Sequence, residues 1–368
     1  MKKILQAIKS CFPIWSVIFF GIFFIALIVN GAIESNPTFA GTVHHTVGAG
    51  IRAVISTLTS WIPFSLAEIM LILSPVLLFI ICFFMMRRLR RSITAGVRYF
   101  VGFLSILSLV FTVMVFGYNS GFYDESVETK VGIERENLSA EQLYDTAILL
   151  IDAIREEIPN VNYPENTYSE MEFSYAQMNK ELNEAYRTLH DNYPSFECFY
   201  SNTKPVMLSE PWTYTHISGM YTFFTGEANV NVNYPDFIMV SSAAHEMAHQ
   251  RGIGKEDEAN FVAFLVCSLS DNSYIRYCGY ADVLSEVMSK LASASSELHA
   301  KATAYMPQEL KNEYAAYSKF FDKYRENVAA NVSTTVNNAY ITSHNQPQGV
   351  KSYGLVVDLV AAYMLNEK

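Results

Sequence analysis

His245, Glu246 and His249 stand in the order His-Glu-x-x-His within SSAAHEMAHQRGIGKEDEANFVAF, residues 241–264. Two histidines four apart on a helix project from one face, one turn above the other. Their imidazoles can therefore grip a single tetrahedral ion, and the glutamate after the first histidine sits beside the ion's open position rather than on it. A catalytic zinc keeps that position for water and lowers the water's pKa to about 7. Glu246 would then take the water's proton and hand it to the leaving amine of a cut peptide bond. The competing reading is a histidine pair on an amphipathic helix with no metal. The context favours the metal: FIMVSSAAHEMAHQRG reads as a helix with small residues near the histidines and a glycine at its end.

Such a site needs a third ligand, and two templates compete. HExxHxxGxxH has Gly252 at its turn but Lys255 at the ligand position, and a protonated ammonium has no lone pair to offer. The other template takes a glutamate from the next helix, here within EDEAN, residues 256–260. Glu256 and Asn260 are four apart and share a face with Ala259. On this reading Glu256 binds the metal, Ala259 lets the helices approach, and Asn260 fixes a histidine ring through a hydrogen bond. Glu258, two residues on, points about 200° around the helix from Glu256, so both cannot face one ion. The short link from Gln250 to Lys255 contains Gly252 and Gly254, either of which can take positive φ at the reversal.

The elements that must position these residues are mostly helical. Leu143, Ala147, Leu150, Ile151, Ile154 and Ile158 recur at helix spacing behind Ser139 and Gln142, which are set as a capping box, and Pro159 ends the run. Further helices are expected over 169–190, 275–291, 294–304 and 308–328, with a packing helix in SYGLVVDLVAAYML. One region, 204–234, reads as extended. In TGEANVNVNYP, Ala228, Val230 and Val232 alternate with Asn229, Asn231 and Asn233, the pattern of a strand with one solvated face.

The 368 residues divide sharply in charge. Up to Gly117 there are nine Lys or Arg and two acids; the remainder carries 17 basic and 34 acidic residues. An acidic segment of that size gives no support for nucleic-acid binding, which needs basic patches for phosphate. Residues 12–29, 69–86 and 99–118 are almost free of charge and long enough to cross a hydrocarbon core of about 30 Å. The expected organisation is a membrane domain, 1–117, with transmembrane helices near 12–31, 67–86 and 97–118, followed by a second domain, 118–368. The first run is longer than a signal-peptide core and reads as an uncleaved anchor in the lipid bilayer. Lys2, Lys3 and Lys9 precede it, five arginines (Arg87, Arg88, Arg90, Arg91, Arg98) sit in the link between the second and third runs, and the loop between the first two carries only Arg52. Basic residues stay on the cytoplasmic side, so the second domain is expected outside the cell membrane. Residues 53–63, with Trp61, lie either along the outer membrane surface or against the outer domain. Of five cysteines, Cys267 is expected as a buried free thiol, and Cys198 is left open to pairing with Cys267 or Cys278.

The zinc-type motif, FFTGEANVN before it, and IRYCGY and GVKSYG after it together resemble the bacterial membrane proteins grouped as domain of unknown function thirty-eight-ten. HExxH followed by a glutamate in ExxAN also resembles the gluzincin peptidases. That resemblance implies a mostly α fold with a small β-sheet, Zn2+ as cofactor, His245, His249 and Glu256 as ligands, and Glu246 as general base. It also implies an edge strand ahead of the zinc helix, with which a peptide or protein substrate pairs as an added strand; GEANVNV is in the right order for it. Tyr340, His344, Tyr353 and Arg276 are candidates to stabilise an oxyanion. The resulting expectation is a membrane-anchored zinc metallopeptidase. Its rivals are a non-catalytic zinc-containing receptor or envelope scaffold and a zinc hydrolase of cell-wall peptide amides.

Overall fold

The computed structural model describes residues 10–164, 167–344 and 346–366; Lys2, Lys3 and Lys9 lie outside them. Three helices, Ile14–Ser35, Leu66–Arg91 and Ile93–Gly117, are long and apolar enough to cross a membrane. The middle one is not buried along its apolar stretch, a surface too large and greasy to be left in water. The first and third pack through small residues: Ser105 donates to Ser16 at 3.1 Å, and Gly102 lies under the Trp15 ring. The arginine link is helical through Arg91, and the second and third helices are separated by Ser92 alone, whose hydroxyl caps the third.

Residues 37–60, between the first two apolar helices, fold into Pro37–Val43, a wide turn at His44–Gly48, and Ala49–Ser60. This segment packs against the acidic part of the chain, as one of the two readings of residues 53–63 has it, while Val54 and Leu58 stay exposed. Ser56 donates to the Gly226 carbonyl, and the Lys204 ammonium donates to the carbonyls of Thr59, Ser60 and Ile62. Trp61 remains 79% exposed. Two carboxylates complete the joint. Glu227 accepts from the backbone N–H groups of Leu66 and Ala67, orphan donors in the first turn of the second apolar helix. Glu68 accepts from those of Met207 and Leu208.

The larger core is helical. Ala140–Glu157, Asp236–Gln250, Glu256–Ser268 and Ser273–Ala294 pack on one another, flanked by Tyr175–Asn192 and Val356–Asn366. The Ser139–Gln142 capping box is present, and Leu143, Ala147, Leu150, Ile151 and Ile154 are buried. The helix expected over 308–328 ends at Phe321, and a separate one, Val328–Ser343, follows. All five cysteines are free, with Cys267 and Cys278 buried.

A three-stranded sheet has the order β1 (Lys204–Pro205), β3 (Glu227–Val230), β2 (Gly219–Thr222). Two expectations fail here. Asn229 and Asn231 are not solvated; both are buried. Asn229 donates to the Met220 carbonyl and Thr222 hydroxyl, and Asn231 to the Thr213 hydroxyl and Ile217 carbonyl. Their amides satisfy backbone groups that the short strands leave unpaired, while Val232 is the partly exposed residue. GEANVNV is also not an edge strand: β3 is central, and the edges are β1, parallel to it, and β2, antiparallel to it.

Candidate metal centre

The helix Asp236–Gln250 carries His245, Glu246 and His249, and it ends in a left-handed turn. Gly252 has φ +90°; its N–H donates to the His249 carbonyl at 3.0 Å, and the Ile253 N–H donates to the Ala248 carbonyl at 3.1 Å. This paired-bond termination requires positive φ at the residue after the cap, where glycine carries no steric penalty. Gly254, the other glycine of the link, does not have positive φ; it lies close to the backbone of Gly121 and Phe122. A Cβ added at Gly121 would lie 2.2 Å from the Gly252 carbonyl oxygen, and one at Gly252 would strike His44 and Arg52. The reversal between the two site helices is thus seated on the end of the third apolar helix and on the first loop.

Glu256 opens the next helix, and Ala259 is fully buried at the helix contact. The Glu256 Oε2 lies 3.3 Å from the Nε2 of His245 and 3.3 Å from that of His249. Two donors about 2.0–2.1 Å from a tetrahedral ion are about 3.3 Å apart, so the spacing fits a zinc-sized cation. The three donor atoms lie within 4.8 Å of one another. Glu258 points elsewhere and pairs with Lys255 at 2.7 Å. His249 is oriented by its other nitrogen: Nδ1 donates to the Ile253 carbonyl at 2.7 Å, which turns Nε2 toward Glu256 and the site. Asn260 lines the cleft but makes no bond to either ring; the Ile253 carbonyl takes the role expected of it.

Glu246 is 5% exposed, and its Oε2 has no partner. Burial raises its pKa, against the pull of His245 and His249. Its side chain lies against β2: a Cβ at Gly219 would come 2.5 Å from Glu246 Cγ, and the Tyr221 backbone N–H donates to the carboxylate. The helix is fixed behind by Tyr186, whose hydroxyl donates to the Ala244 carbonyl, and by Gln250, which donates to the Gly226 carbonyl at the β2–β3 turn.

These residues border a cleft of about 740 Å³. Of the four oxyanion candidates, Tyr353 stacks its ring on His245, one of the three donors, with ring centroids 6.5 Å apart. Tyr340 and His344 also line the cleft, their rings meeting at a tilt with centroids 4.4 Å apart. Arg276 is a correction: it is clamped to Glu157 at 2.6 and 2.8 Å, away from the cleft. Sequence reasoning missed Met114 and Tyr118, at the end of the third apolar helix, and Asp282, whose pKa burial holds up to about 6; all three line the cleft. Their only sequence signal is position, since tertiary packing alone brings them there.

A second group, His44, His45 and Glu197, also has donors close together. Its acceptors already face cations: Arg52 is paired with Glu197, and Lys130 with the neighbouring Asp124 at 2.7 Å. Burial, with Arg52 beside it, holds the His44 pKa well below the ordinary histidine value. This group is an ionic joint between the first loop and the rest of the chain.

The family described as "Protein of unknown function (DUF3810)" matches residues 45–361. The chain belongs to this family. The matched region holds the second and third apolar helices and every residue of the candidate metal centre, and it begins after the first apolar helix. No similar curated protein and no similar solved structure was found.

Within this member of the DUF3810 family the donors are linked to pH. Burial alone would lower the His249 pKa, but the Glu256 carboxylate outweighs it and pushes the ring up to about 9, while His249 and His245 hold Glu256 below the usual carboxylate range. A cation bound here at neutral pH would have to displace the His249 proton. Zinc affinity measured by calorimetry is therefore expected to rise about tenfold per pH unit from about 6.5 to 8.5 and to level off above about 9. A flat profile over that range would contradict the geometry.

Proposed function

We propose that this chain is a membrane-anchored zinc metallopeptidase of gluzincin-like design. Its N-terminus would be cytoplasmic, its three apolar helices would span the bilayer, and residues 118–368 would face outward. The observation that carries the reading is the unpartnered, buried Glu246 oxygen beside a three-donor set, at the wall of an open cleft. A histidine pair kept only for packing has no need of a carboxylate there, and leaving one unpaired costs stability.

His245, His249 and Glu256 would hold the cation. Zinc in such a set supplies Lewis acidity toward water and toward a substrate carbonyl. Glu246 accepts a proton from the attacking water as the new C–O bond forms, then delivers it to the nitrogen as the C–N bond breaks, leaving a carboxylic acid and an amine. β2, an edge strand alongside Glu246, offers backbone groups to an extended substrate. Tyr353, beside Glu256, is the residue we assign to hydrogen-bond the developing oxyanion.

The purified full-length chain is expected to bind one zinc and to cleave members of a fluorogenic peptide mixture. Activity should be lost on treatment with a zinc chelator and regained with one equivalent of zinc. Full zinc occupancy with no cleavage of any peptide would favour the scaffold reading.

A further inference from the structure

The cleft has a direction. At Gly219, β2 lies against Glu246; four residues on, Phe223 stacks on Tyr118 at the end of the third apolar helix. The turn that follows packs through Gly226 on Ile55 and Ser56 of the first loop, and Glu227 caps the start of the second apolar helix. The edge strand therefore runs from the site down to where two apolar helices end. At about 3.3 Å per residue, the distance from Phe223 to Gly219 is about 13 Å.

The walls near that end are apolar and open. Phe224 is exposed there and Met114 of the third apolar helix lines the cleft, while Met220 is exposed one residue from Gly219. The facing wall is the helix Val328–Ser343, in which only Ala330 and Ile341 are buried. It lies in a stretch, residues 327–350, without a single Asp, Glu, Lys or Arg, inside an otherwise strongly acidic region. Val336 and Tyr340 line the cleft beside the uncharged Ser333 and Asn337, and Val328 and Val332 continue the exposed row beyond the cleft. A face selected for water would carry charge; this one suits an uncharged chain arriving from a bilayer.

We infer that the cleft takes the juxtamembrane segment of a polypeptide anchored in the same bilayer, cut about four to eight residues beyond the anchor. The inference rests on the peptidase reading above and names its substrate class. A chain leaving the membrane beside Tyr118 meets the edge of β2 immediately and reaches Glu246 after about four residues in extended form. Sharing the bilayer raises the effective concentration of such a segment over that of a free peptide.

The test uses the full-length protein in liposomes with three probes that share one randomised, uncharged 20-residue segment. In the first, the segment directly follows a single transmembrane helix; in the second, a long Gly/Ser spacer separates them; in the third, the segment is a soluble peptide. Cleavage of the first is expected to exceed that of the others by at least about tenfold, with cuts mapping next to the anchor. Equal cleavage of all three, abolished by Glu246→Gln, would overturn the inference and leave the peptidase reading standing. No Glu246-dependent cleavage of any probe would overturn both.

Discussion

Glu246→Gln is expected to keep zinc in place and to lower peptide hydrolysis by about 10²–10⁴-fold, the usual contribution of a positioned general base. The substitution is close to isosteric, so the contact with Gly219 and the bond from the Tyr221 N–H are retained. Glu246 is not one of the three clustered donors, so metal content should not change. The raised pKa of Glu246 brings the carboxylate closer to the operating pH, where a base both accepts and returns a proton efficiently. Zinc content and initial rates on the same peptide mixture check the result. Loss of metal with loss of activity would make Glu246 a structural element of the site; unchanged activity would remove it from the chemistry.

The site was legible in the sequence because its key relations are local. His245 and His249 share a helix face by spacing alone, and the four-residue relation of Glu256 to Asn260 selected Glu256 over Glu258, in agreement with their directions here. Gly252 announced the turn because few other residues tolerate its φ of +90°. The apolar helices and the Ser139–Gln142 cap were equally local.

What was hidden depends on distant partners. The alternation at Asn229 and Asn231 gave a strand but not its surroundings: buried amides pairing with Met220 and Ile217 carbonyls look, in sequence, like solvated ones. Strands of two to four residues carry too little signal to reveal that β2 rather than β3 forms an edge. Arg52 stood out only as the lone basic residue of its loop. In the fold it is 1% exposed, donating to Glu197 and to the carbonyls of His44 and Gly117, and it presses on Gly252. Arg52, Lys204, Glu68 and Glu227 together make the membrane-proximal segment part of the site's foundation, which no local pattern could disclose.

The proposed chemistry depends most on which carboxylate joins the two imidazoles. Glu256→Ala removes the Oε2 that lies 3.3 Å from both Nε2 atoms, whereas Glu258→Ala removes only the partner of Lys255. Outer-shell changes at metal sites cost about 10–100-fold in affinity; loss of a direct ligand should exceed that, so Glu256→Ala is expected to weaken zinc binding by more than about 100-fold. The direct measurement is a zinc titration of folded wild type, Glu256→Ala and Glu258→Ala. One tight zinc per chain in wild type and Glu258→Ala, and none in Glu256→Ala, is the predicted result. Tight binding that survives Glu256→Ala, or its absence from wild type, would contradict the account.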